Sequence, residues 1–128
     1  MINYAQTSGN LSTNSSSWTP IPGLAVKLPE GVDRNALLIL NVPNPWATGT
    51  NYPGGNFGIQ VNGQLQAPTA TFTYNEQVPP STGRMPTTLC AVVALSQTGP
   101  LSAVAVWSGV RGSTVNLDSP ASLTALID

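Results

Sequence analysis

The chain has 128 residues with four basic and five acidic side chains, 7% charged and net charge −1, against roughly 25% charged in an ordinary soluble domain. There is no His and a single Cys, Cys90, which excludes a Ser-His-Asp triad, a Cys-His dyad, a His-ligated metal, an intrachain disulfide and a CxxC site. Four scattered cations make no basic patch for nucleic acid and five dispersed carboxylates no calcium cage, so neither a nucleic-acid partner nor a metal or other cofactor is expected.

Gly and Pro number twelve each and punctuate a series of short segments rich in Val, Leu, Ile, Thr and aromatics, as strands are. Ile2–Gln6 reads as an edge strand, followed by a polar Ser/Asn-rich loop. Gly23–Leu28 is a strand after Pro20 and Pro22. Ala36–Val42 is an apolar run, expected to be a central strand buried on both faces. Residues 43–55 form a long Pro/Gly/Asn loop that exposes Trp46 on a stiff Pro43-Asn44-Pro45 support. Asn56–Asn62 alternates, with Phe57, Ile59 and Val61 on one face, and Asn62-Gly63 is a hairpin signal. Ala70–Asn75 alternates again, Phe72 and Tyr74 opposite Thr71 and Thr73. Val78 to Arg84 is a rigid turn. Thr87–Ser96 and Leu101–Ser108 are two further strands expected to be buried on both faces. Thr114–Leu117 is a short strand. Ser122–Ile127 reads as another, its Ser/Thr content and the preceding Pro120 weighing against a short helix. Trp18 and Trp107 are expected in the core.

Nine or so short strands with frequent turns predict an all-β fold, an antiparallel sandwich or barrel, with a jelly roll as the natural form. No internal repeat or domain boundary is visible, so residues 1–128 read as a single domain. Met1-Ile2-Asn3-Tyr4 has neither the basic nor the apolar region of a signal peptide. The apolar runs are too short for a helix to cross a bilayer, and no membrane insertion is expected. The expectation is a chain made in the cytoplasm, with export by a non-classical route left open. Asn10-Leu11-Ser12 and Asn14-Ser15-Ser16 are glycosylation sequons by pattern only.

So little charge leaves two ways to stay soluble. Asn, Gln, Ser and Thr dress the surface, or much of it is hidden in an oligomer with a charge-depleted interface. The second is the expectation here, with closed cyclic symmetry.

Two arginines share a setting, Ser81-Thr82-Gly83-Arg84 and Gly109-Val110-Arg111-Gly112-Ser113. Neither has an acidic neighbour in sequence. A guanidinium is a planar fork of donors, free in such a place to grip neutral oxygens such as adjacent sugar hydroxyls. The alternative is that each caps strand-end carbonyls or pairs with Asp118 or Glu76 in space. Trp46 offers an apolar face with a polar edge, as binding sites use, or else folds over its own loop. Thr73 and Tyr74 end a strand just before the Ser81–Arg84 turn. Ser81 has no base, Glu76 and Asp118 have no partner carboxylate nearby in sequence, and Cys90 lies in a strand. No catalytic constellation results, so the chain does not read as an enzyme.

Leu40-Asn41-Val42-Pro43-Asn44-Pro45-Trp46-Ala47-Thr48-Gly49, Phe72-Thr73-Tyr74, Val78-Pro79-Pro80-Ser81-Thr82-Gly83-Arg84-Met85-Pro86, Val110-Arg111-Gly112-Ser113 and Asp118-Ser119-Pro120-Ala121-Ser122-Leu123 together form a pattern. From about Ile21 to Leu126 the chain resembles the TNF-like fucose-binding lectin family, that of the N-terminal domain of the two-domain Burkholderia superlectin. The resemblance implies a bacterial-type lectin for fucosylated, host cell-surface-type glycans. It implies a TNF-like jelly roll assembled as a homotrimer, with metal-independent sugar sites at protomer boundaries. One protomer would offer Trp46, Ser81, Thr82 and Arg84, and its neighbour Asn56, Thr73, Tyr74 and Arg111. Trp46 and Asn56 each stand where the family pattern has Tyr; the second change removes a ring from the pocket. The alternatives are a structural or adhesive jelly-roll subunit without a sugar site, and a protein-binding ligand of TNF or C1q type.

Overall fold

Period-2 alternation and turn residues cut the chain into strands and leave no capped helical stretch. The structure, a computed structural model describing residues 1–128, has twelve strands and no helix. In the first half these are β1 (Ile2–Gln6), β2 (Leu11–Thr13), β3 (Thr19–Leu28), β4 (Asn35–Val42), β5 (Trp46–Thr48) and β6 (Gly54–Val61). The second half adds β7 (Gln64–Leu65), β8 (Ala70–Thr73), β9 (Thr87–Ala94), β10 (Leu101–Val110), β11 (Thr114–Leu117) and β12 (Ser122–Ile127). All pairings are antiparallel.

One sheet has the order β1-β12-β4-β9, a second β3-β10-β6-β7 with β8 also on β6, and a small third β2-β11-β5. Their inner faces share one core cluster of 26 buried residues, an antiparallel β-sandwich. Leu38, Leu40, Leu123 and Leu89 come from the first sheet, Phe57, Ile59 and Trp107 from the second, and Val115 and Leu117 from the third. Such burial supplies roughly 1.5–3 kcal/mol per large apolar side chain.

Every strand expected from the sequence is present, with bounds shifted by a few residues. Three short strands were missed. β2 lies in the Ser/Asn-rich stretch and β5 in the Pro/Gly/Asn loop, so neither carries an alternating pattern. Both exist because β11 pairs with each of them. β7 is the return arm of the Asn62-Gly63 hairpin. β3 begins four residues earlier than expected and takes in Pro20 and Pro22. An edge strand pairs on one side only, so it tolerates residues that donate no ladder hydrogen bond. The β3–β10 register shifts between Val104 and Val106 beside these prolines.

Trp107 is buried as expected, whereas Trp18 is only half-buried. The larger correction concerns the strands expected to be buried on both faces. β10 largely is, but β9 alternates: Leu89, Ala91 and Val93 point into the core while Thr88, Cys90, Val92 and Ala94 are exposed. β4 likewise turns Leu37 and Ile39, half-buried, to the outside. A continuous apolar run normally has a layer on each side, and within one chain the first sheet has a layer on one side only. Register aligns Ile2, Leu126, Leu37 and Val92 across its outer face. Ile2 is 69% exposed, Val92 68% and Leu126 38%.

The β10–β11 turn is tight enough to require glycine at one point. A Cβ on Gly109 would lie 2.0 Å from the Ser113 carbonyl oxygen, whereas one on Gly83 would meet nothing within 4 Å. Gly109→Ala is therefore expected to destabilise the chain by about 3 kcal/mol as backbone is forced apart, and Gly83→Ala by less than about 0.5 kcal/mol. Urea unfolding of both variants checks the contrast.

Candidate functional site

Two clusters of the residues singled out in the sequence form within one chain. The first gathers around Trp46. Pairing of β5 with β11 sets Trp46 opposite Asn116 and Ala47 opposite Val115. The irregular stretch 81–86 is tied down beside it: the Met85 amide donates to Pro45 O at 2.9 Å. Tyr74 is the fastener. Its hydroxyl donates to Gly83 O at 2.7 Å and accepts from the Ala47 amide at 3.2 Å. Its ring meets Phe72 edge-on at 5.9 Å between centroids, and Phe72 stacks in turn on Phe57. An aromatic ladder thus runs from the core to the cluster.

Arg84 closes this cluster. Its guanidinium carbon lies 5.0 Å from the centre of the Trp46 ring, within cation–π range. Its Nη2 donates to Asp118 Oδ2 at 2.5 Å. Both partners are partly exposed, so the pair contributes little to stability, but it fixes where the guanidinium points. Nε and Nη1 take no partner in the chain. A shallow cleft lies between Trp46, Thr82, Gly83 and Arg84. Trp46 Nε1 is buried without an acceptor, so packing and Arg84 hold the indole rather than a hydrogen bond.

The second cluster lies at one end of the β8-β6-β10 face. Thr73 pairs with Gly54, and Gly54 with Val110, the residue before Arg111. Two residues along the same face, Thr71 pairs with Asn56 and Asn56 with Ser108. The Asn56 amide is engaged at both ends: Nδ2 donates to Ser108 Oγ at 3.0 Å and Oδ1 accepts from Thr71 Oγ1 at 2.7 Å. Arg111 sits in the β10–β11 turn at φ 48°, followed by Gly112 at φ 75°. The left-handed conformation is costly for a side chain with a Cβ. Nε donates to Asn51 O at 2.9 Å and Nη2 to Tyr52 O at 2.5 Å, which anchors it. The Tyr52 ring lies 5.8 Å from its guanidinium carbon, and Nη1 takes no partner in the chain.

Several expectations change here. Trp46 belongs to a strand and is half-buried, not displayed on an open loop. Neither arginine is free: Arg84 pairs with Asp118, and Arg111 caps loop carbonyls. Glu76 pairs with neither. The structure brings Trp46, Tyr74, Thr82 and Arg84 together, and separately Asn56, Thr73 and Arg111. Ser81 is exposed on the same stretch as Thr82 but does not line the cleft. Tyr74 touches both clusters, since its amide donates to Pro53 O beside Tyr52. Arg84 and Arg111 share no hydrogen-bond or ion-pair partner within the chain. Tyr52 was not anticipated. It lies in a Gly/Pro/Asn loop, and its part depends wholly on where the β10–β11 turn lands.

Comparison with known proteins gives three findings. No curated protein matches the chain. Among solved structures, dimeric latent PorU from Porphyromonas gingivalis aligns with 98% of this chain and 13% of its own, at 16% identity and a TM-score of 0.43. The family model described as Bc2l-C, N-terminal domain matches residues 2–126. That match spans nearly every strand, both arginine turns and the Trp46 segment, and the chain belongs to the Bc2l-C N-terminal domain family, that of the Burkholderia superlectin.

Proposed function

We propose that the chain is a single lectin domain that binds fucose and fucosylated glycans without metal, and is not an enzyme. The observation that carries this is family membership over residues 2–126. The two arginine clusters support it. A sugar site presents an aromatic surface and a few fixed donors that match neighbouring hydroxyls. Arg84 keeps Nε and Nη1 and Arg111 keeps Nη1 for a ligand, while their other nitrogens hold them still.

The proposed assembly is a homotrimer of TNF-like jelly rolls. The outer face of the β1-β12-β4-β9 sheet favours it, with Ile2, Leu126, Leu37 and Val92 in one row and Tyr4, Thr124, Ile39 and Cys90 in the next. Neither row holds a charge, as the core of an interface between copies requires. The site would then join Trp46, Ser81, Thr82 and Arg84 of one protomer to Asn56, Thr73, Tyr74 and Arg111 of its neighbour. Asn56 brings an amide oriented by Thr71 and Ser108, with the second Nδ2 hydrogen left for a ligand. The targets are fucosylated glycans of host cell-surface type, met outside the cell.

Calorimetry with methyl fucoside, with and without EDTA, tests the function. Binding of equal strength in both is expected, because the guanidiniums and hydroxyls take the sugar directly. Loss in EDTA restored by calcium overturns metal independence. No binding in either condition overturns the lectin reading.

A further inference from the structure

We propose that a trough on the small β2-β11-β5 sheet is a second sugar subsite, taking an uncharged ring linked to the one held at Arg84. The proposal rests on the lectin reading above and extends its site in a stated direction.

Register builds the trough. Asn116 on the central strand pairs with Ser12 on one side and with Trp46 on the other. The three side chains therefore stand in one row on one face, with neighbouring strands about 4.8 Å apart. Asn10 and Asp118 lie just beyond the ends of β2 and β11, two residues from Ser12 and Asn116, and border the same hollow. All five line one concavity, completed by Leu11 and the buried Leu117. An indole, two amides, a hydroxyl and a carboxylate in one concavity match a sugar ring, whose C–H face the indole takes and whose hydroxyl rim the polar groups take.

The trough adjoins the first cleft. Trp46 lines both. The Arg84–Asp118 ion pair stands at the junction, with Arg84 lining the cleft and Asp118 the trough. A ligand of two or more linked rings can follow this path around Trp46. Charge sets the ligand class. The one ionised group in the trough is the Asp118 carboxylate, already paired with Arg84. An acidic sugar would set a second carboxylate beside it, whereas the hydroxyls of a neutral ring find donors in Asn10, Ser12 and Asn116 and an acceptor in Asp118.

The test is calorimetry on the full chain with methyl fucoside and with a neutral fucosylated tetrasaccharide. The parent is compared with Asn116→Ala and Ser12→Asp. Ser12 is exposed, and Asn116 makes only a 3.4 Å contact with Thr114 O, so both variants should fold, which thermal melting verifies. The parent should bind the tetrasaccharide at least about fivefold more tightly than the monosaccharide. Each variant should lose most of that gain while holding methyl fucoside within about twofold of the parent. Variants that keep the full gain, or a parent that shows none while binding methyl fucoside, overturn the subsite alone. A parent that binds neither sugar overturns the lectin reading and the subsite with it.

Discussion

Arg84→Ala and Arg111→Ala are each expected to weaken fucose binding at least about tenfold, a loss of about 1.4 kcal/mol or more. A charged donor to a sugar hydroxyl in a shielded site contributes roughly 1.5–3 kcal/mol. The two losses have different origins. Removing Arg84 takes away the donors over Trp46 and leaves the Asp118 carboxylate facing the ligand unpaired. Removing Arg111 also frees the carbonyls of Asn51 and Tyr52, so the loop that presents Tyr52 loosens. Arg84→Lys keeps the charge but holds no planar fork, and one ammonium cannot serve Asp118, the indole face and the sugar together. It should not rescue binding. Arg84 is exposed, so the alanine variant should fold and assemble as the parent does. Titration with methyl fucoside alongside light scattering reads both quantities. Parent-like binding by both alanine variants would place the site elsewhere. Joint loss of binding and assembly would make the arginines structural.

Val92→Glu should convert the assembly to single chains. In one chain Val92 is 68% exposed, so a carboxylate there costs the fold almost nothing. In a trimer buried through this sheet the same carboxylate meets Leu37 and Leu126 in the row beside it and its symmetry mates from the other copies. An unpaired buried charge costs several kcal/mol, and symmetry repeats it in every protomer. Light scattering should give about three times the chain mass of 13.2 kDa for the parent and one times for the variant. Fucose binding should fall with the mass, because the proposed site draws on two protomers. A variant that keeps the parent mass would show that this face does not join the copies. A parent with the mass of one chain would remove the trimer.

Local pattern carried most of the strand content because period-2 alternation is written in neighbouring residues. Phe57, Ile59 and Val61 face the core together as their spacing demands. Pattern misjudged β4 and β9 because hydrophobicity states that a side chain avoids water, not which molecule covers it. Leu37 and Val92 belong to continuous apolar runs, yet the chain that carries them leaves them uncovered. The short strands β2 and β5 left no pattern because β11, distant in sequence from both, supplies their pairing.

The sequence by itself determined the composition of any site: no imidazole, no carboxylate cluster, two arginines in Gly-containing turns and a Trp directly after a Pro-Asn-Pro run. Its motifs were also enough to carry the family, since Ser-Thr-Gly-Arg-Met-Pro and Asn-Pro-Trp-Ala-Thr-Gly are read without a fold. Only the tertiary structure decided what those residues touch. Arg84 finds Asp118 across 34 positions of sequence, and Arg111 finds Asn51 across 60. Ser12, Asn116 and Trp46 form one row through strand register alone. Residues within a few positions of each other are held close by covalent geometry, so local sequence reports on them. Partners this far apart meet only after core burial and sheet register have set the distance, and no local pattern encodes that.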